Sequence, residues 1–221
     1  MKVAIVLFPG TNCEQDTKYA FELLGCQTQI IWHKESKINA DLIVLPGGFS
    51  YGDYLRTAAI AKFSPAMSAV VKHAQKGGYV LGICNGFQML CELKLLAGAM
   101  RRNENLSFIS KYHYLKVVSN ANKFLSNLSI GEVVNIPIAH GEGNFYVGDE
   151  TLKGLYDNDQ VLLKYCDANG AELNPNGSVD EVAGICDKNK KIFGLMPHPE
   201  RACEKFLGTD DGLKMLKGLV C

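Results

Sequence analysis

Two aliphatic runs, Val3 to Phe8 and Asp41 to Leu45, carry no polar alternation. A strand with one wet face alternates and a strand covered on both faces does not, so these runs predict a parallel sheet between layers of helix. The intervening segments agree. After the first run, Asn12 is placed to cap a helix with Tyr19, Ala20, Leu23 and Leu24 at three- and four-residue steps and Gly25 as its stop. TQIIW then reads as a second strand. SPAMSAVVKHAQKGG predicts a further helix, with Ser64 at the cap, Pro65 in the first turn, Met67, Val70, Val71 and Ala74 on one face, and Gly77-Gly78 beyond. YVLGI, from Tyr79, follows as a strand. Strand and helix alternating on short connections predict a doubly wound α/β half through about residue 97.

From about Phe108 the texture changes. KYHYLKVVS, EVVNIPIAH, QVLLKYC, EVAGICD and KIFGLMP are strand-like and separated by Asn, Gly and Asp turns, which predicts antiparallel additions to a mostly parallel sheet. TLKGLYDN reads as a short helix and DDGLKMLKGLV as a closing one. With no repeat, low-complexity stretch or linker, a single domain over residues 1–221 is expected.

Lys and Arg total 23, as do Asp and Glu, so no global field favours nucleic acid or anionic lipid, and neither is expected as a partner. MKVAIVLFPG is too short for a secretory apolar segment and lacks a small-residue cleavage site, so it reads as the first strand. The cysteines at 13, 26, 84, 91, 166, 186, 203 and 221 form no C-x-x-C pair and no Cys/His ligand spacing. Free thiols in the cytoplasm, without a structural metal, are the expectation.

One of these thiols stands out. Gly82-Ile83-Cys84-Asn85-Gly86, between the strand YVLGI and the helix-like NGFQMLCEL, has the form of a nucleophile elbow with cysteine in place of serine. The glycines permit a tight turn that pushes the side chain over the carboxyl edge of the sheet. The helix N-terminus below favours negative charge on the sulfur, and the Asn85 amide points where an oxyanion would form. A free cysteine is by default inert packing, the reading kept for Cys91 on the same helix, so Cys84 needs a base.

Among the histidines, His33 and His73 suit packing or surface roles, and His113 has no notable sequence neighbour. His198 lies in LMPHPERA after an aliphatic run. If Pro197 and Pro199 hold it extended, His198 and Glu200 project to one side and the carboxylate can orient the imidazole. Cysteine, histidine and acid in that order match the logic of acyl transfer. PGGFSYGDYLR follows the third strand, placing Gly47-Gly48 at the same sheet edge, where a second oxyanion amide could arise.

PGG, GICNGFQ and HPE together resemble the class I glutamine amidotransferases. PGGFSYGDYLR, RRNENLSF, IPIAHGEGNF, LNPNGS and MPHPERA further resemble the glutaminase subunits of phosphoribosylformylglycinamidine synthase, over nearly the whole chain. The resemblance implies that Cys84 attacks glutamine's side-chain amide, with His198 moving protons, Glu200 holding His198, and the amides of Gly48 and Asn85 forming the oxyanion hole. It implies that Gln88 contacts glutamine's α-substituents and that the loop from Gly141 through Asn144 to Phe145 covers that end. It also implies a large synthetase subunit that uses ATP and Mg, plus a small bridging subunit. This chain has no phosphate-binding glycine loop of the G-x-x-x-x-G-K-[ST] type, and no cofactor of its own is expected. Asp53 to Arg56 and Arg101-Arg102 become candidates for partner contact or gating, and His140 receives no role. A cysteine hydrolase on a related sheet would use Cys84 but gives no reason for Gln88. A binding subunit without turnover would not require Cys84, His198 and Glu200 together.

Overall fold

The first aliphatic run forms β1 (Lys2–Leu7), in which Val3 to Val6 are wholly removed from solvent. The computed structural model describes residues 1–220; Cys221 lies outside the described residues. Next come α1 (Glu14–Leu23), β2 (Gln27–Trp32), β3 (Leu42–Leu45), α2 (Pro65–Gln75), β4 (Tyr79–Ile83) and α3 (Asn85–Glu92). The second half holds β5 (Ala99–Arg101), β6 (Ile109–Val117), β7 (Val133–His140), β8 (Asn144–Tyr146) and α4 (Asp149–Asp157). It ends with β9 (Val161–Cys166), β10 (Val182–Cys186), β11 (Ile192–Leu195) and α5 (Asp211–Val220).

Nine strands make one sheet in the order β2-β1-β3-β4-β11-β10-β9-β6-β7. The strands from β2 to β11 in that order run parallel; from β11 outward each pairing is antiparallel. The β1–α1–β2 crossover runs one way from the centre and β3–α2–β4 the other, so right-handed connections place their helices on opposite faces. The doubly wound, mostly parallel sheet with antiparallel additions is therefore present. β11 departs from the purely antiparallel texture of the second half. It leaves β10 through a tight turn, where Asp187 Oδ1 accepts from the amides of Lys191 and Ile192, and inserts parallel to β4. β5 and β8 form a separate antiparallel ribbon, too short to show any sequence period.

Two helix details differ from the sequence reading. α1 begins two residues after Asn12, with Cys13 at its cap position, so its buried stripe is Thr17, Ala20 and Phe21, while Tyr19 and Leu23 are exposed. The stripe keeps the three- and four-residue spacing but is rotated around the helix. Ser64 does sit at the start of α2, but its hydroxyl bonds Tyr51 Oη at 2.9 Å rather than a helix amide. The same Tyr51 hydroxyl meets His33 Nδ1 at 2.7 Å, and His73 Nε2 meets the Tyr79 carbonyl at 3.1 Å, so both imidazoles are structural. His113 does have neighbours: the Leu173 carbonyl at 3.0 Å and the edge of Tyr165. Among the described cysteines all are free thiols, and no described helix is long and apolar enough to cross a membrane.

α3 presses on β3 at Gly86, where an added Cβ would lie 1.9 Å from the Leu45 carbonyl oxygen. That obstacle is backbone in the middle of a sheet and cannot turn aside. Gly86→Ala is expected to destabilise the protein by about 3 kcal/mol or more, the upper end of overpacking costs, seen as a lower urea midpoint at unchanged slope. An unchanged midpoint would mean that α3 is not held against β3.

Candidate active site

Cys84 joins β4 to α3 with φ 49° and ψ −106°, a conformation unfavourable for any residue with a Cβ. Such strain costs about 1–3 kcal/mol and persists only where the surroundings enforce it. Here β4 pairs on both sides, the Cys84 amide donates to the Leu195 carbonyl at 2.8 Å, and the Cys84 carbonyl accepts from the Gln88 amide at 3.1 Å. Sγ lies 3.7 Å from the Ala139 carbonyl. The Asn85 amide lies in the first turn of α3, where amides have no acceptor within the helix. Its side chain ties two elements together, accepting from the Ser50 amide at 3.1 Å and donating to Gln88 Oε1 at 2.9 Å.

Gly48, just beyond β3, lines the cavity at Cys84 and has φ +143°. A Cβ there would stand 2.7 Å from both the Asn12 amide nitrogen and Thr11 Cα, so only glycine lets the β1 and β3 loops meet. Gly48 thus shares its cavity walls with Cys84, and Asn85 adjoins Cys84 in the chain.

His198 and Glu200 follow β11. Their contact is made, but by a different local geometry: Pro199 to Arg201 form a 3-10 turn, not an extended segment. The turn brings Nδ1 of His198 to 2.7 Å from Glu200 Oε1, with both side chains almost wholly buried. The Nδ1 proton is thereby committed to the carboxylate, and Nε2 has no hydrogen-bond partner. Burial alone would depress this imidazole. The Glu200 charge, followed by the sulfurs of Cys84 and Cys13, outweighs burial and holds it well above the ordinary histidine value. His198 and Cys84 share a cavity wall of about 170 Å³.

An adjoining cavity of about 190 Å³ is also open to Cys84 and is lined by Gln88, Gly141, Glu142 and His140. Gln88 is held there by donation from Nε2 to the Glu142 carbonyl at 2.7 Å. Asn144 and Phe145 do not line it. They belong to β8, and Phe145 is fully buried, stacked on Phe87 at 5.8 Å between centroids. Of the stretch from Gly141 to Phe145, Gly141 and Glu142 are in the wall. Arg56 makes a bidentate bridge to Glu92, Arg101 lies over the Tyr146 ring and Arg102 approaches Glu142 at 3.9 Å. Cys91 is buried packing, its thiol pushed up by burial. A cavity of about 460 Å³ between β6, β9 and α4 has no histidine in its wall.

Sequence reasoning missed Cys13 and Arg201. Arg201 Nη2 lies 3.0 Å from Cys13 Sγ, which stands 4.0 Å from His198 Nδ1, and burial pushes the Cys13 thiol up. The available signal was position: Cys13 follows the first strand and so reaches the same carboxyl edge. Cys13, His198 and Glu200 offer donor atoms within 4.8 Å of one another, the described group best placed for a metal ion. Yet Nδ1 is already bonded to Glu200 and a guanidinium crowds the sulfur, so the cluster suits a braced imidazole better than a cation. Cys13 also faces the wrong nitrogen to be the nucleophile, since Nδ1 is the one that Glu200 occupies.

The raised His198 value has a consequence for stability. The charged pair stabilises fully below the unfolded histidine value of about 6.5, and the contribution is lost as pH rises through the higher folded value. Glu200→Gln removes the largest cause that raises this imidazole and leaves burial in place, so its value is expected to fall. Urea midpoints measured from pH 6 upward are expected to lose this alkaline decline in the variant; identical pH slopes would show that Glu200 does not hold His198 charged.

The model of the CobB/CobQ-like glutamine amidotransferase domain matches residues 1–209. The phosphoribosylformylglycinamidine synthase subunit PurQ of Campylobacter jejuni is 67% identical over 220 residues, covering 100% of this chain and 96% of that one. The same subunit of Sulfurimonas denitrificans is 62% identical, covering 100% and 99%. In the structure of PurLQS from Thermotoga maritima, one chain superposes with a TM-score of 0.90 at 37% identity, covering 99% of this chain and 97% of that one. This chain belongs to the CobB/CobQ-like glutamine amidotransferase family and, within it, to the PurQ subunits of phosphoribosylformylglycinamidine synthase.

Proposed function

We propose that this chain, as one domain, is the glutaminase subunit of phosphoribosylformylglycinamidine synthase, with Cys84 as nucleophile, His198 as proton carrier and Glu200 as its orienter. The observation that carries the reading is the divided imidazole: Nδ1 is bonded to Glu200, and unpartnered Nε2 belongs to a residue sharing the cavity wall with Cys84. Cys84 Sγ, entering as the thiolate beside the charged His198, bonds to the amide carbon of glutamine as the carbonyl π pair moves to oxygen, and the oxyanion takes hydrogen bonds from the Gly48 and Asn85 amides. The carbon–nitrogen bond then breaks, His198 gives its Nε2 proton to the leaving ammonia, and a glutamyl thioester remains. His198 next accepts a proton from water as that water attacks the thioester. The carbon–sulfur bond breaks with its electron pair left on sulfur, the proton taken from water stays on His198 Nε2, and glutamate leaves with the starting charge state restored.

Ammonia passes to the large synthetase subunit, which uses ATP and Mg to convert formylglycinamide ribonucleotide to formylglycinamidine ribonucleotide in purine biosynthesis. A small bridging subunit completes the assembly. This chain needs no cofactor for its own step, and the setting is the cytoplasm.

Glutamate release by the assembled complex is the test. Cys84→Ala is expected to lower it about 10⁴-fold or more, and His198→Ala comparably, since members of a nucleophile–base unit fail together. Cys13→Ala should retain most of the activity. Release that survives in Cys84→Ala would remove Cys84 from the mechanism.

A further inference from the structure

Glu200 is buried with only one of its two oxygens bonded. Oε1 meets His198 Nδ1 at 2.7 Å, while Oε2 is shut off from solvent and has no hydrogen-bond partner. A carboxylate so placed depends on nearby positive charge, because neither water nor a second donor spreads its own. Among the described residues, four titratable groups face it. Two are thiols: Cys13, at the cap position of α1, and Cys203, just beyond the turn. Burial pushes both thiols up, so they stay neutral and supply no compensating charge. The other two are His198 and Arg201.

Arg201 closes the 3-10 turn that carries Glu200, yet its hydrogen bonds go elsewhere. Nη2 donates to Cys13 Sγ at 3.0 Å, and Nε lies 3.4 Å from Asp16 Oδ2 in the first turn of α1. The guanidinium is thereby fixed beside Glu200 by the connection after β1. Two-thirds of its side chain is buried, so solvent screens its charge less than that of a surface arginine.

The two cations are not equivalent through the reaction. With His198 charged, imidazolium and carboxylate balance each other. Once Nε2 has protonated the leaving ammonia, the imidazole is neutral and the buried carboxylate keeps its charge. A guanidinium does not give up its proton in a protein, so Arg201 is the cation that remains at the thioester stage. Its charge also repels a proton on His198. Both effects favour release of the Nε2 proton.

We propose that Arg201 is a positioning residue for charge: anchored on Cys13 and Asp16, it balances Glu200 while His198 is neutral and so speeds proton transfer to the leaving ammonia. The inference rests on the glutaminase reading of Cys84, His198 and Glu200. Arg201 also borders the cavity that Cys84 and His198 share, so the experiment has to separate this role from direct contact with glutamine.

Arg201→Gln removes the charge and Arg201→Lys restores it, and both are compared with wild type in the assembled complex by rapid acid quench. Arg201→Gln is expected to slow glutamyl thioester formation about tenfold, whereas Arg201→Lys stays within about threefold of wild type. The fraction of Cys84 held as thioester during steady turnover should fall in Arg201→Gln, because only the acylating half needs His198 to release its proton. Glutamine's dissociation constant, measured in a Cys84→Ala complex where no reaction occurs, should move less than about twofold when Arg201→Gln is added. Undiminished thioester formation in Arg201→Gln, equal losses in both variants, an unchanged or larger thioester fraction, or weakened glutamine binding that matches the lost rate would each overturn the proposal. A wild-type complex that released no glutamate would instead remove the glutaminase reading itself.

Discussion

The site depends on one arrangement in the sheet: β4 lies between β3 and β11, parallel to both. Three loops from distant parts of the chain consequently open at one carboxyl edge. Gly48 comes from the end of β3, Cys84 from β4 and His198 from beyond β11, with the β1 loop closing beside them. The same pairings enforce the strained backbone of Cys84, because its amide is held by the last residue of β11. An antiparallel β11 would have delivered its loop to the opposite edge and left the thiol without a base. Sheet topology is therefore what brings the proposed nucleophile and base together.

Around that edge, charge is arranged in two zones. On one side Glu200 commits His198 Nδ1, keeps the imidazole charged despite complete burial, and leaves Nε2 free. Cys13 and Arg201 brace the Nδ1 side, so this second buried thiol faces the nitrogen already bonded to Glu200. On the other side, Gln88 and Glu142 stand in the wall of the adjoining cavity. The first zone holds the groups that the proposed mechanism uses.

Much of this was legible in the sequence where the signal is local. Gly82-x-Cys84-x-Gly86 marked the elbow, since a strand-to-helix turn of that tightness needs glycine on both sides. Unalternating runs marked the buried parallel strands. Strand order carries no such signal, so the central place of β11 was not readable from KIFGLMP, and neither was the β5–β8 ribbon, whose three-residue strands are shorter than any period. His198 and Glu200 were paired on the expectation of an extended segment, and a 3-10 turn makes the contact instead. Cys13, Arg201 and the part taken by Glu142 depend on loops meeting in space. Nothing in the residues nearby announces that.

Mass spectrometry of the complex, acid-quenched during turnover of glutamine, tests the central claim most directly. The account predicts a glutamyl adduct confined to the peptide that carries Cys84. An adduct on the Cys13 peptide, or turnover with no covalent adduct at any quench time, would contradict it.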